Sequence, residues 1–139
     1  MPHVHRTLFR PRSYELDSYR HLNNGVYLGW FEQGRLEWLR SLGFSYDGFA
    51  DRRQWFVVAR TEVDFRSAVH LDDELELTSE VVALGRSSVK FRQHLRRLRD
   101  GRAEEPPVCE ALTVMAFSAD GRSIPIPDDF RAAAGSVEA

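Results

Sequence analysis

Cysteine is nearly absent from this chain. Its 139 residues include one, Cys109, so no internal disulfide can form and nothing points to an oxidising compartment. Long apolar runs are also missing, and no stretch approaches the roughly 20 residues of a membrane-spanning helix. The N-terminal MPHVHRTLFRPR has no apolar signal core, so the cytoplasm is the expected compartment. Neither sign of charge is in excess. The formal net charge of -2 gives no global pull toward nucleic acid or a membrane surface. There is no G-x-S-x-G for a serine triad and no glycine-rich phosphate loop. Repeats, low-complexity blocks and linkers are missing as well.

What is present suits a soluble globular chain: 42% hydrophobic and 29% charged residues. One domain over 1–139 is expected. The chain is organised around DSYRHLNNGVYLGWFEQGRLEWLRSL, residues 17 to 42. Asn23 and Asn24 suit the N-cap of a helix. Val26, Tyr27, Trp30, Phe31, Trp38 and Leu42 then fall at helical spacing, and Gly43 sits where helices end left-handed. Gly29 and Gly34 lie inside this helix, each costing about 1 kcal/mol relative to alanine. Close approach of another backbone is the expected compensation for both.

Elsewhere the period is two. Strands are expected over 4–14, 55–66, 75–84, 86–99 and 108–118, with a helical turn at Tyr46 to Ala50. In the second strand Val57, Ala59, Thr61, Val63 and Phe65 share one face by strict alternation. Asp100-Gly101 and Asp120-Gly121 mark turns, and Gly85 allows a bend. From 126 onward, past Pro125, a mobile tail is expected. Strands joined by short turns are antiparallel, so one long helix on such a sheet gives a two-layer α+β domain. The helix is apolar over more of its surface than one sheet can cover, which favours association of two copies.

Several motifs then resemble the hotdog-fold acyl-CoA thioesterases, in the branch of 4-hydroxybenzoyl-CoA thioesterase and the YbgC and FadM-like enzymes. They are Y-x-x-D at Tyr14 to Asp17, H-x-N-N at His21 to Asn24, YLGWFEQGR at Tyr27 to Arg35 and LGRSSVKF at Leu84 to Phe91. The resemblance covers roughly residues 4 to 130. It implies a long central helix wrapped by a curved five-stranded antiparallel sheet. It also implies a homodimer or homotetramer with active sites at the subunit interface, and hydrolysis of an acyl-CoA (or acyl carrier protein) thioester without cofactor or metal. Asp17 occupies the place of the family's catalytic carboxylate, and the backbone amide of Asn24 that of the thioester-carbonyl contact. YbgC-type members carry histidine where this chain has Asn24, so the asparagine pattern looks closer to FadM-like members. Asn23 and Gly25, on either side of that amide, are expected to meet substrate. The segment matching Arg86, Ser87 and Ser88, with Lys90 nearby, contacts the coenzyme A nucleotide in the family.

The chemistry of these residue types agrees. A thioester carbonyl is electrophilic, and amides at a helix start can polarise its oxygen. A carboxylate can act as general base to water or as a direct nucleophile. The basic run Arg86 to Arg102 is equally well a solvated strand face. It lacks the interleaved aromatics of a nucleic-acid surface. Glu32 and Glu37 on the helix are fallback carboxylates. A hydratase or dehydratase on the same fold and a non-catalytic acyl-thioester module are the competing readings. His3 and His5 make a weak metal pair, and Cys109 reads as core.

Overall fold

Asn23 starts the long helix. Its Oδ1 accepts the Gly25 N–H at 2.9 Å, and α1 runs over Asn24–Ser41. Gly43 follows with φ 86°, in the left-handed conformation expected at a helix end. These coordinates come from a computed structural model, which describes residues 3–135. Tyr27, Trp30, Phe31, Gly34 and Trp38 form the buried stripe of α1.

The strands are β1 (Val4–Phe9), β2 (Trp55–Phe65), β3 (Glu74–Leu84), β4 (Ser88–Arg99), β5 (Arg102–Ala103), β6 (Cys109–Ala119) and β7 (Arg122–Ser123). A short helix, α2, spans Tyr46–Asp51. The sheet order is β1-β3-β4-β6-β2, antiparallel throughout, with two-residue β5 and β7 lengthening the arms of two hairpins. The expected five long strands are therefore present with two short additions. The first strand stops at Phe9, before Pro11, and Ser13–Glu15 turn as a 3-10 helix instead of extending it to residue 14. No helix among the described residues is long and apolar enough to cross a membrane.

The sheet and α1 enclose two apolar clusters. Tyr27, Trp30, Phe31, Leu75, Leu95 and Cys109 belong to the one around the first half of α1. Trp38, Phe49, Phe56, Phe91, Phe117 and Phe130 belong to the one around its second half. A polar group of Arg35, Ser79, Gln93 and Thr113 is also buried. Gln93 Nε2 donates to Phe31 O at 2.8 Å and to Ser79 Oγ at 2.9 Å, tying helix to sheet.

The two helix glycines part company. A Cβ at Gly34 would lie 2.5 Å from Leu77 Cδ2 and 2.8 Å from Ser79 Oγ, so helix and sheet approach closely there. A Cβ at Gly29 would meet nothing within 4 Å, so close packing does not account for it. Strict alternation also fails in β2. A register shift between Val58 and Arg60 reverses the faces, so Phe56 is buried and Val57 exposed before it. Thr61, beyond it, turns inward to meet Thr113 at 2.7 Å between hydroxyl oxygens.

The expected mobile tail from 126 is corrected over its described part; residues 136–139 lie outside the described residues. Asp128–Ala134 form α3, and Ile126 and Phe130 are buried. Proline ends a strand but suits the residues just before a helix, and Phe130 carries too much apolar surface to leave in water. It packs among Phe44, Phe49, Phe56 and Phe117 at centroid distances of 5.4 to 6.0 Å. Phe130→Ala should lower stability by about 3–5 kcal/mol. The urea midpoint would read this, and an unchanged midpoint would show that α3 is dispensable to the core.

Candidate functional site

Asp17 sits in a loop pinched by a bridge between Leu16 and Leu22. Its backbone N–H donates to His21 O at 2.8 Å, and its carbonyl accepts from Arg20 N–H at 3.0 Å. Its side chain joins the same turn. Oδ1 accepts the N–H groups of Tyr19 at 2.8 Å and His21 at 3.2 Å. Asparagine and aspartate favour such turns because they bond backbone amides a few residues on. Oδ2 has no hydrogen-bond partner among the described residues. One carboxylate oxygen is thus held, and the other is available.

The first turn of α1 shows a similar division. The Gly25 N–H is taken by the Asn23 side chain, and the Val26 N–H donates to Asn23 O at 2.9 Å. The Asn24 N–H is left without an acceptor among the described residues, at the positive end of the helix dipole. Asn23 and Gly25 are therefore bonded to each other through this cap, leaving Asn24 as the open amide.

Asp17, His21 and Asn24 line one pocket of about 270 Å³, together with Tyr27 of α1. The segment 65–68, where β2 ends, supplies the other side. Composition and motif gave no hint of this second wall, because 65–68 lies more than forty residues from Asp17. Leu22 N–H donating to Val69 O at 2.8 Å is the bond that joins the two segments. Burial pushes the Tyr27 phenol up to about 12, and Asp17 adds to the effect. Tyr27 therefore stays protonated at neutral pH and cannot serve as the base. Burial likewise pushes the Cys109 thiol up to about 12, with the Asp64 charge reinforcing it. That fits Cys109 as a core residue and not a nucleophile.

The structure does not bring Arg86, Ser87, Ser88 and Lys90 to this pocket within one chain. They form the β3–β4 turn and the start of β4, beside the cluster of Trp38 and Phe91. The pocket lies at the other end of β3, about 30 Å away at the usual rise per strand residue. The turn is firmly held: Arg86 O accepts Ile126 N–H at 2.8 Å, and Ser87 O accepts Phe117 N–H at 3.0 Å. Several later basic residues are paired and only partly exposed, such as Arg96 with Glu105 at 2.9 Å and Arg97 with Asp73 at 3.2 Å. Those two guanidinium groups are partly neutralised and are not a free basic stripe.

Comparison with known proteins adds to this geometry. Residues 11–134 match the thioesterase-like superfamily. The chain is 36% identical over 72 residues to the acyl-CoA thioesterase YbgC of Haemophilus influenzae, covering 51% of this chain and 53% of that protein. It is 32% identical over 92 residues to the long-chain acyl-CoA thioesterase FadM of Escherichia coli, covering 60% and 64%. These matches span about half to two thirds of the length of those relatives. A crystal structure of a thioesterase from Thermus thermophilus, complexed with coenzyme A and Zn, superposes with a TM-score of 0.78 at 29% identity. That likeness covers 95% of this chain and 92% of the other.

Proposed function

The chain belongs to the thioesterase-like superfamily, and from that premise we propose that it hydrolyses an acyl-CoA thioester to the free acid and coenzyme A. The observation that carries this reading is the pairing of a free Asp17 Oδ2 with an open Asn24 amide on one pocket. The Asn24 N–H polarises the thioester carbonyl and receives the oxyanion as the carbon becomes tetrahedral. Asp17 takes a proton from water as the water oxygen attacks that carbon. The carbon–sulfur bond then breaks and coenzyme A leaves as the thiolate. In the direct route Asp17 itself attacks, the thiolate leaves, and water cleaves the resulting mixed anhydride. A single turnover in ¹⁸O-water separates the routes when paired with hydroxylamine trapping of acyl-Asp17, since water that opens the anhydride at the acyl carbon labels only the product. Label enters the Asp17 carboxylate only if the anhydride forms.

The working site needs a second copy of the chain. Arg86, Ser87, Ser88 and Lys90 of one copy are too far from their own Asp17, and a second copy brings them to it, where guanidinium suits the phosphates of coenzyme A. The strand β2 supports association. It is a sheet edge eleven residues long, with Trp55, Val57, Val58 and Phe65 about half exposed. A long apolar edge is an open template for pairing. Sedimentation should show a dimer or tetramer. The function itself is tested by release of free thiol across a panel of acyl-CoA esters, with an enoyl thioester included. Binding without thiol release from any ester, or hydration of the enoyl group, would replace the hydrolase reading.

A further inference from the structure

The strand β2 is paired on one side only. Nine of its eleven residues are exposed, although it runs beside β6 throughout. A strand over a core normally hides one face, and here both faces of β2 meet water. Its residues change face at the register shift. Before it, Phe56 and Val58 turn toward the core and α1. Beyond it, Thr61, Val63 and Phe65 do so. Glu62 and Asp64 take the outer face beside Arg92 and Glu110, and Arg60 joins them there by alternation.

A two-fold axis that maps one copy's edge onto its partner's reverses the strand, so two β2 strands meet antiparallel. Residues directly opposite must share a face, so the axis passes through a residue and not between two. An axis at Arg60 sets guanidinium against guanidinium, and one at Glu62 sets carboxylate against carboxylate. Like charges directly opposite destabilise a strand pair. An axis at Thr61 instead sets Arg60 against Glu62 twice. Counting past the extra residue at 59, it pairs Val58 with Val63 and Phe56 with Phe65 on the inner face. On the outer face it pairs Trp55 with Arg66.

We propose that β2 recognises a second copy of this chain with the two-fold at Thr61, and that Trp55 of one copy closes over Arg66 of the other, on the wall of the Asp17 pocket. The inference rests on the association of two copies already proposed and fixes its geometry. Charge complementarity carries it: within one chain Arg60 and Glu62 pair only with each other along the strand, and the partner supplies the opposite charge to both. Phe65 and Arg66 line the Asp17 pocket, so that wall is unfinished in a single chain. Trp55 over the Arg66 guanidinium adds a cation–π contact. The same register carries the partner's β3–β4 turn toward this pocket, since Ser87 O holds Phe117, the neighbour of Phe56.

Sedimentation equilibrium on the full chain tests the register. Arg60→Glu makes both cross-strand pairs acidic, and Glu62→Arg makes both basic. Each variant alone should dimerise at least about tenfold more weakly than wild type. An equal mixture of the two should recover near wild-type affinity, because each then meets opposite charge at both pairs. Arg60→Glu mixed with wild type should stay weaker, since one pair remains like-charged. Acrylamide quenching reads Trp55 separately. Trp30 and Trp38 are buried and Trp55 is half exposed, so quenching should fall on association and stay high in either variant alone. Should a charge variant fail to fold, Thr61→Cys decides. It should oxidise to a disulfide-linked dimer across the axis, while buried Cys109 stays silent. Single variants as tight as wild type, a mixture no tighter than its components, or full recovery with wild type overturns the register. So does Arg60→Cys cross-linking to itself more readily than Thr61→Cys. Quenching unchanged by association takes Trp55 off the pocket wall. A monomeric wild type overturns the association as well, whereas thiol release by a dimer of another register overturns this geometry and leaves the hydrolase standing.

Discussion

Asp17→Asn should lower turnover by about 10²–10⁴-fold while leaving the fold intact, the usual scale for a lost acid–base group. The substitution separates the two tasks of this side chain. Oδ1 holds the turn by accepting from Tyr19 and His21, and an amide oxygen does this as well as a carboxylate oxygen. Oδ2 becomes an NH₂ group, which can neither take a proton from water nor attack a carbonyl. Asp17→Ala loses both tasks, so its melting temperature should fall where that of Asp17→Asn does not. Steady-state kinetics and a thermal melt on the two variants together give the answer. Wild-type turnover in the asparagine variant would take Asp17 out of the chemistry.

Asn24→Pro should lower turnover by about 10²–10³-fold, the cost of one lost oxyanion donor. Proline removes the Asn24 N–H and nothing else of the backbone bonding. Position 24 is the first residue of α1, where proline is well tolerated. The preceding residue must then be extended, and Asn23 already is, at φ -64° and ψ 138°. The Asn23 cap on Gly25 is unaffected. Asn24→Ala keeps the amide and should turn over near the wild-type rate. A proline variant as active as the alanine variant would show that the carbonyl is polarised elsewhere. Equal losses in both would assign the role to the Asn24 side chain instead.

Much of this molecule was legible before any coordinates. The spacing of Tyr27, Trp30, Phe31 and Trp38 locates α1, and Asn23 caps it as its residue type suggests. The turns at Gly101 and Gly121 fall where Asp-Gly places them, both with positive φ. The Asp17 turn could be read because aspartate bonds amides within a few residues of itself. The face of β2 could not, since the shift at Val58 to Arg60 answers to its partner strand β6. Nor could the docking of Phe130, which depends on Phe44, Phe49 and Phe56, all more than seventy residues away in the chain.

The sequence alone determined the helix, its cap, the strands and the carboxylate just ahead of the helix, because each depends on interactions within a few residues. The tertiary structure decided the second wall of the pocket, the burial of Arg35 and the separation of Arg86 from Asp17. Those follow from the order β1-β3-β4-β6-β2, which carries β2 to the far edge of the sheet. Which edge a strand takes is settled by burial across the whole core, and no local pattern encodes it.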